Sequence, residues 1–164
     1  MKKRGQSVFG MPFSVIFSII IIIAILVTAF FVIKWFLGFQ RCSQAGLFFR
    51  DLETAVKDAY NAPSANKQFA RTLPGSVEKI CLADVEMQGE TEEEEKMLLH
   101  FKRYGESDSN VFLYPSENIC YDARSAKINY LEMPTEMYCF DVNQGKIEMQ
   151  IIRNYTGQVK LERK

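Results

Sequence analysis

Residues 40–63 read QRCSQAGLFFRDLETAVKDAYNAP, and the apolar positions Ala45, Phe48, Phe49, Leu52, Ala55, Val56 and Ala59 recur at steps of three and four. That spacing puts them on one face of an α-helix, while Arg50, Asp51, Glu53, Lys57 and Asp58 fall mostly elsewhere. The stretch is expected to be an amphipathic helix of about five turns. It ends at Asn61-Ala62-Pro63-Ser64, because proline disfavours the α conformation at the residue before it. Upstream, only Gly38 weakens the pattern before Arg41, and Gly46 follows, each costing ~1 kcal/mol against alanine in a helix. One helix from about Phe13 to Tyr60 is therefore expected.

The first half of that helix has a different character. From Gly5 to Ile33 no side chain is charged, a run of 29 residues. As a helix it would reach roughly 43 Å, more than the ~30 Å hydrocarbon core of a bilayer. A transmembrane helix is expected over residues 6–39, continuing into the amphipathic helix over residues 40–62. Pro12 suits a first helical turn, where the N–H that it lacks is not needed. A secretory signal peptide has a shorter apolar region and a small-residue cleavage motif after it. The exit here reads Lys34-Trp35-Phe36-Leu37-Gly38-Phe39-Gln40-Arg41, so the apolar segment is expected to remain in the mature protein.

Orientation follows from charge. Lys2, Lys3 and Arg4 lie in a short leader, residues 1–5, which the positive-inside rule keeps cytoplasmic. The domain over residues 63–164 is then expected outside a single-pass cell membrane. Lys34 can extend its ammonium to the outer headgroups beside Trp35, a residue type favoured at that interface. The whole chain carries 20 basic and 20 acidic residues, for a formal net charge of zero, so no global field draws in nucleic acid.

Cysteine placement agrees with export. Cys42, Cys81, Cys120 and Cys139 all lie beyond the apolar segment, and an even number in an exported domain suggests disulfides. Three pairings are open; closure of a short local loop favours Cys120 with Cys139, leaving Cys42 with Cys81. Zinc is the competing use, but there is no C-x-x-C and His100 sits beside no cysteine. Asn154-Tyr155-Thr156 is a glycosylation sequon, which makes Asn154 a modification candidate outside the cell.

Beyond Pro63 the period changes towards two. SVEKICLADVEM suits a strand after the Pro74-Gly75 turn, NVFLY is a short strand stopped by Pro115, and KMLLHFKRY, which suits a strand or two helical turns, is read as a strand. QGETEEEEK is read as a solvated loop or a frayed helix start. MYCFDV, the turn Asn143-Gln144-Gly145, KIEMQIIR, a second turn over 154–157 and QVKLER predict an antiparallel meander. Ile147, Met149 and Ile151 alternate with polar neighbours, so one sheet face is buried and needs a cover. The amphipathic helix supplies it, giving an α+β fold with a long N-terminal helix packed on a small antiparallel sheet.

Neither catalytic nor metal-binding chemistry is read from the rest. Glu90 and Glu92 to Glu95 lack the spacing of a calcium loop and read as a solvated charge run. His100 is the single histidine, no G-x-S-x-G is present, and phosphate-binding glycine loops are absent. No cofactor, metal ligand or enzymatic role is expected. Tyr104, Phe112, Tyr114, Tyr121, Tyr130, Tyr138 and Phe140 read as core and cross-strand pairs.

A long N-terminal helix, apolar and then amphipathic, followed by a small antiparallel sheet, resembles the type IV pilin architecture. KKRGQS resembles the leader of archaeal pilin-like proteins with class III signal peptides, in which a short basic segment ending in Gly is cut before Gln. The resemblance implies cleavage between Gly5 and Gln6 by a prepilin-type peptidase, with Lys2, Lys3 and Arg4 as the recognition charges. It also implies a structural or adhesive surface protein whose N-terminal helix meets the lipid bilayer and then identical or related subunits of a filament. VFGMPF before the apolar run, with a cysteine close to the membrane, also resembles uncharacterised archaeal single-pass membrane proteins. The alternative reading is a monomeric, membrane-tethered binding or accessory module with an uncleaved signal anchor.

Overall fold

The computed structural model describes residues 10–154 and 157–163. The chain divides into two compact units, Met1–Leu37 and Gly38–Lys164. A single helix, α1 (Gly10–Asn61), contributes to both.

In the first unit every side chain from Phe13 to Leu37 is exposed, including the β-branched run Ile19 to Ile23. The hydroxyls in this stretch are satisfied by the helix itself: Ser18 Oγ donates to the Ser14 carbonyl at 2.9 Å and Thr28 Oγ1 to the Ala24 carbonyl at 3.0 Å. Internal satisfaction is what a hydrocarbon surround demands of any polar group. The helix is long and apolar enough to cross a membrane.

The second unit is α+β. After α1 come β1 (Asn66–Thr72), β2 (Lys79–Leu82), α2 (Glu92–Tyr104), β3 (Val111–Tyr114), β4 (Ser125–Ala126), β5 (Tyr138–Asp141), β6 (Lys146–Arg153) and β7 (Val159–Arg163). They form two antiparallel sheets, one ordered β1-β6-β7 and the other β4-β3-β2-β5. The apolar face of α1 is the common filling. Ala45, Phe48, Leu52 and Val56 share one cluster with Phe69, Ile147, Met149, Ile151, Val159 and Leu161 of the first sheet and Ile80, Leu82, Val111, Leu113 and Phe140 of the second. Alternation along the second sheet sends Cys81, Phe112 and Cys139 to its opposite face, where Met97, Leu98 and Phe101 of α2 cover them. That sheet is therefore buried on both sides.

Two expectations need correction. KMLLHFKRY is not a strand but most of α2. Thr91 and Glu94 form a reciprocal capping box at its start, four glutamates occupy the first turn, and Lys102 and Arg103 the last. Each arrangement favours a helix, by satisfying free N–H groups or by complementing the helix dipole. The glutamate run is thus the first turn of a helix. The meander also opens. Gln144 and Gly145 form the two-residue turn with positive φ at both positions, and Asn143 and Lys146 exchange both backbone bonds. Val142 N–H, however, already donates to the Glu78 carbonyl at 2.7 Å, which commits β5 to β2, while β6 lies between β1 and β7. The single sheet becomes two for this reason.

Leu52 is fully buried and Leu47, on the same helix, is 45% exposed. Leu52→Ala is expected to destabilise the unit by ~2–5 kcal/mol, since it opens a cavity in the shared core. Leu47→Ala is expected to stay within about 0.5 kcal/mol. Denaturant unfolding of the two variants measures the contrast.

Candidate functional site

The expected cleavage junction, Gly5 and Gln6, and the charges Lys2, Lys3 and Arg4 lie outside the described residues. The four cysteines do not, and they pair as two disulfides. Cys42 joins Cys120 with Cα atoms 5.4 Å apart, and Cys81 joins Cys139 with Cα atoms 4.0 Å apart. This overturns the pairing that local loop closure favoured. The reason is register: β2 and β5 place Cys81 directly opposite Cys139, so their side chains meet on the α2 face of the sheet. Cys42 then meets Cys120 on the loop after β3, and Cys120 N–H also donates to its sulfur at 3.1 Å. In the chain-entropy description, loops of this length restrict the unfolded chain by ~4 kcal/mol each.

Asn154 lies in the turn between β6 and β7 and is half-buried. Its Nδ2 donates to Glu132 Oε2 at 2.8 Å, and its Oδ1 accepts from Gln158 N–H at 3.0 Å. Its amide therefore helps to close the turn; Tyr155 and Thr156 lie outside the described residues.

His100 sits on α2, with its side chain 9% exposed. Nε2 accepts the Ser116 backbone N–H at 3.2 Å and lies 2.9 Å from Ser116 Oγ, while Nδ1 faces Glu117 Oε1 at 3.6 Å. A backbone N–H can only donate, so Nε2 carries a lone pair and the proton of the neutral ring is on Nδ1. Serine, histidine and carboxylate thus stand in the order of a hydrolase triad, but the arrangement is closed. Ser116 is 2% exposed, and its own N–H occupies the lone pair that would have to take the hydroxyl proton. The cluster fastens the loop after β3 to α2. Ser116 and Glu117 were not legible as partners of His100, because 16 residues and a change of element separate them.

The open clefts are shallow and carry charges of both signs. One of about 580 Å³ lies along β7 and is lined by Leu82, Tyr138, Leu161, Glu132, Lys160 and Arg163, among others. Lys160 pairs with Glu162 at 3.0 Å, which raises its pKa, and Arg163 donates to the Cys139 carbonyl at 2.7 Å. On another part of the surface Tyr60 and Tyr130 stack at 4.0 Å, with Arg153 over Tyr60. Tyr130 has a φ of 69°, a left-handed conformation that costs a residue other than glycine about 1–3 kcal/mol. Among the described residues no group of three or more His, Cys, Asp or Glu side chains is placed to hold a metal.

The described features define a disulfide-bonded α+β unit on a helix long and apolar enough to cross a membrane. No protein-family model matches the chain, and comparison with curated proteins and with solved structures returns no match.

Burial lowers the His100 pKa from its ordinary 6.5, Glu117 opposes that and Arg124 adds to it. The fold therefore favours the neutral ring. Its contribution is fully present above 6.5 and is lost as the pH falls through the lowered folded value. His100→Gln keeps an acceptor towards Ser116 and does not titrate. The stability of wild type relative to this variant is expected to decline as the pH drops below 6.5. Unfolding midpoints measured across that range check it.

Proposed function

We propose that the protein is a membrane-anchored, cell-surface structural or adhesive protein, a pilin-like subunit of a type IV-type filament. The observation that carries this reading is that one helix, α1, is uncharged and exposed over Phe13 to Ile33 and then contributes to the core of a disulfide-bonded α+β unit. In that reading residues 1–5 are the cytoplasmic leader, a prepilin-type peptidase cuts between Gly5 and Gln6, and the second unit faces outward. The apolar helix first lies in the lipid bilayer and then packs against identical or related subunits. The two disulfides support an oxidising compartment for the second unit. No catalytic residue is assigned.

A second reading, a monomeric tethered binding or accessory module, is favoured by two residues. Pilins often carry Glu as the fifth mature residue, where this chain has Gly10, and Lys34 is costly to bury among packed helices. The N-terminus separates the two readings. Mass spectrometry of the native protein is expected to find chains beginning at Gln6, and Gly5→Val is expected to block that processing and any assembly. A native chain that retains residues 1–5 refutes the filament reading and leaves the tethered module.

A further inference from the structure

Cys42 stands five residues beyond Leu37, and the uncharged stretch ends at Ile33. Along a helical chain, Cys42 lies about 13 Å past Ile33, and the headgroup layer outside the ~30 Å hydrocarbon is about 5–7 Å deep on each side. This is a distance along the chain, so it bounds how far Cys42 can stand from the headgroups at any angle between the two units. The disulfide then ties a second segment to Cys42 and widens that bound only by their separation, the Cα atoms of Cys42 and Cys120 being 5.4 Å apart.

That second segment has the side chains of an interface. Tyr121 opens a short 3-10 turn (Tyr121–Ala123) and is 58% exposed, although Ile119 and Ala123 on either side are buried. Arg124 Nε donates to the Ile119 carbonyl at 2.9 Å, and its guanidinium lies 5.3 Å from the Tyr104 ring, which Arg103 also approaches at 5.4 Å. Arg41, exposed, precedes Cys42. Glu117 and Asp122 are the acidic residues of the same segment, and Glu117 is turned to His100. Arginine forks match phosphate oxygens, and a tyrosine ring with a polar tip suits the headgroup layer.

We infer that Arg41, Tyr121, Arg103 and Arg124 form a surface that contacts the phosphodiester headgroups of the bilayer that α1 enters. The inference rests on the membrane-anchor part of the reading above and on neither cleavage nor assembly. The disulfide Cys42–Cys120 is what holds this surface against the lipid.

The test uses the full chain in nanodiscs made with brominated phospholipid, which quenches tryptophan on contact. Trp35 is the chain's one tryptophan and reports on the anchor directly. In a Trp35→Phe background, Tyr121→Trp is expected to lose emission to the brominated lipid, and to lose more with anionic than with zwitterionic headgroups. Lys57→Trp, at an exposed position 15 residues beyond Cys42, is expected to keep its emission. Should the Tyr121→Trp emission match that of Lys57→Trp while wild-type Trp35 is quenched, the anchor stands and the headgroup surface is overturned. An unquenched Trp35 overturns the anchor and the surface with it. Amide hydrogen exchange of residues 119–122 in the wild-type chain gives an independent reading. It is expected to slow in anionic nanodiscs relative to zwitterionic ones, and equal rates refute the contact.

Discussion

Both sheets of the second unit depend on the burial of one helical stripe. Ala45, Phe48, Leu52 and Val56 are at most 1% exposed, and they share one core cluster with residues of the β1-β6-β7 sheet and of the β4-β3-β2-β5 sheet. Each large apolar side chain withdrawn from water contributes roughly 1.5–3 kcal/mol. Among the described residues no other α-helix joins that cluster, so without α1 each sheet would present a wet hydrophobic face. The helix that enters the apolar stretch is also the element on which the folded unit is built. Its charged side is used too: Asp51 accepts from Arg71 at 2.8 Å and so guides the edge strand β1 onto the helix, a contact exposed enough to be weak.

The second sheet is held more firmly than the first. It is covered by α1 on one face and by α2 on the other, and the Cys81–Cys139 disulfide crosses it between two paired strands. α2 is itself fastened at both ends. Lys79 on β2 meets Glu93 near its start at 2.8 Å, raising the lysine pKa and lowering that of the glutamate. Towards its end His100 Nε2 accepts the Ser116 backbone N–H at 3.2 Å and lies 2.9 Å from its Oγ. Residues 115–124 are thereby tied to α2 by hydrogen bonds and to α1 by a disulfide, which explains how an exposed Tyr121 can stand on a fixed base.

What was legible in the sequence follows the range of the signal. The stripe from Ala45 to Ala59 repeats over four turns, and all seven positions read from it are buried. The Gln144-Gly145 turn is a local signal, and it is present with the expected backbone. The strand partner of β5 is not local: Lys79 pairs with Asp141, and no feature of either segment names the other. The disulfide pairing depends on that same register and was illegible for the same cause. α2 failed differently. Met97, Leu98, Leu99 and Phe101 suit a strand or a helix, and the deciding signal, Thr91 three residues before Glu94, lay inside a charge run read as a solvated loop or a frayed helix start. The expected cleavage residues lie where nothing is described, and His100 acquired its partners only through folding.

The two disulfides interleave along the chain, 42 with 120 and 81 with 139. Side-by-side pairing would have left residues 82–119 as a single covalent bridge, and one peptide cut there would have shed everything beyond it. With interleaved pairing, any single backbone cut between residues 42 and 139 leaves the two fragments joined by at least one disulfide. A chain nicked anywhere in that span therefore stays attached to its apolar helix. Shedding from it requires a second event, either reduction or a cut on the far side of Cys42.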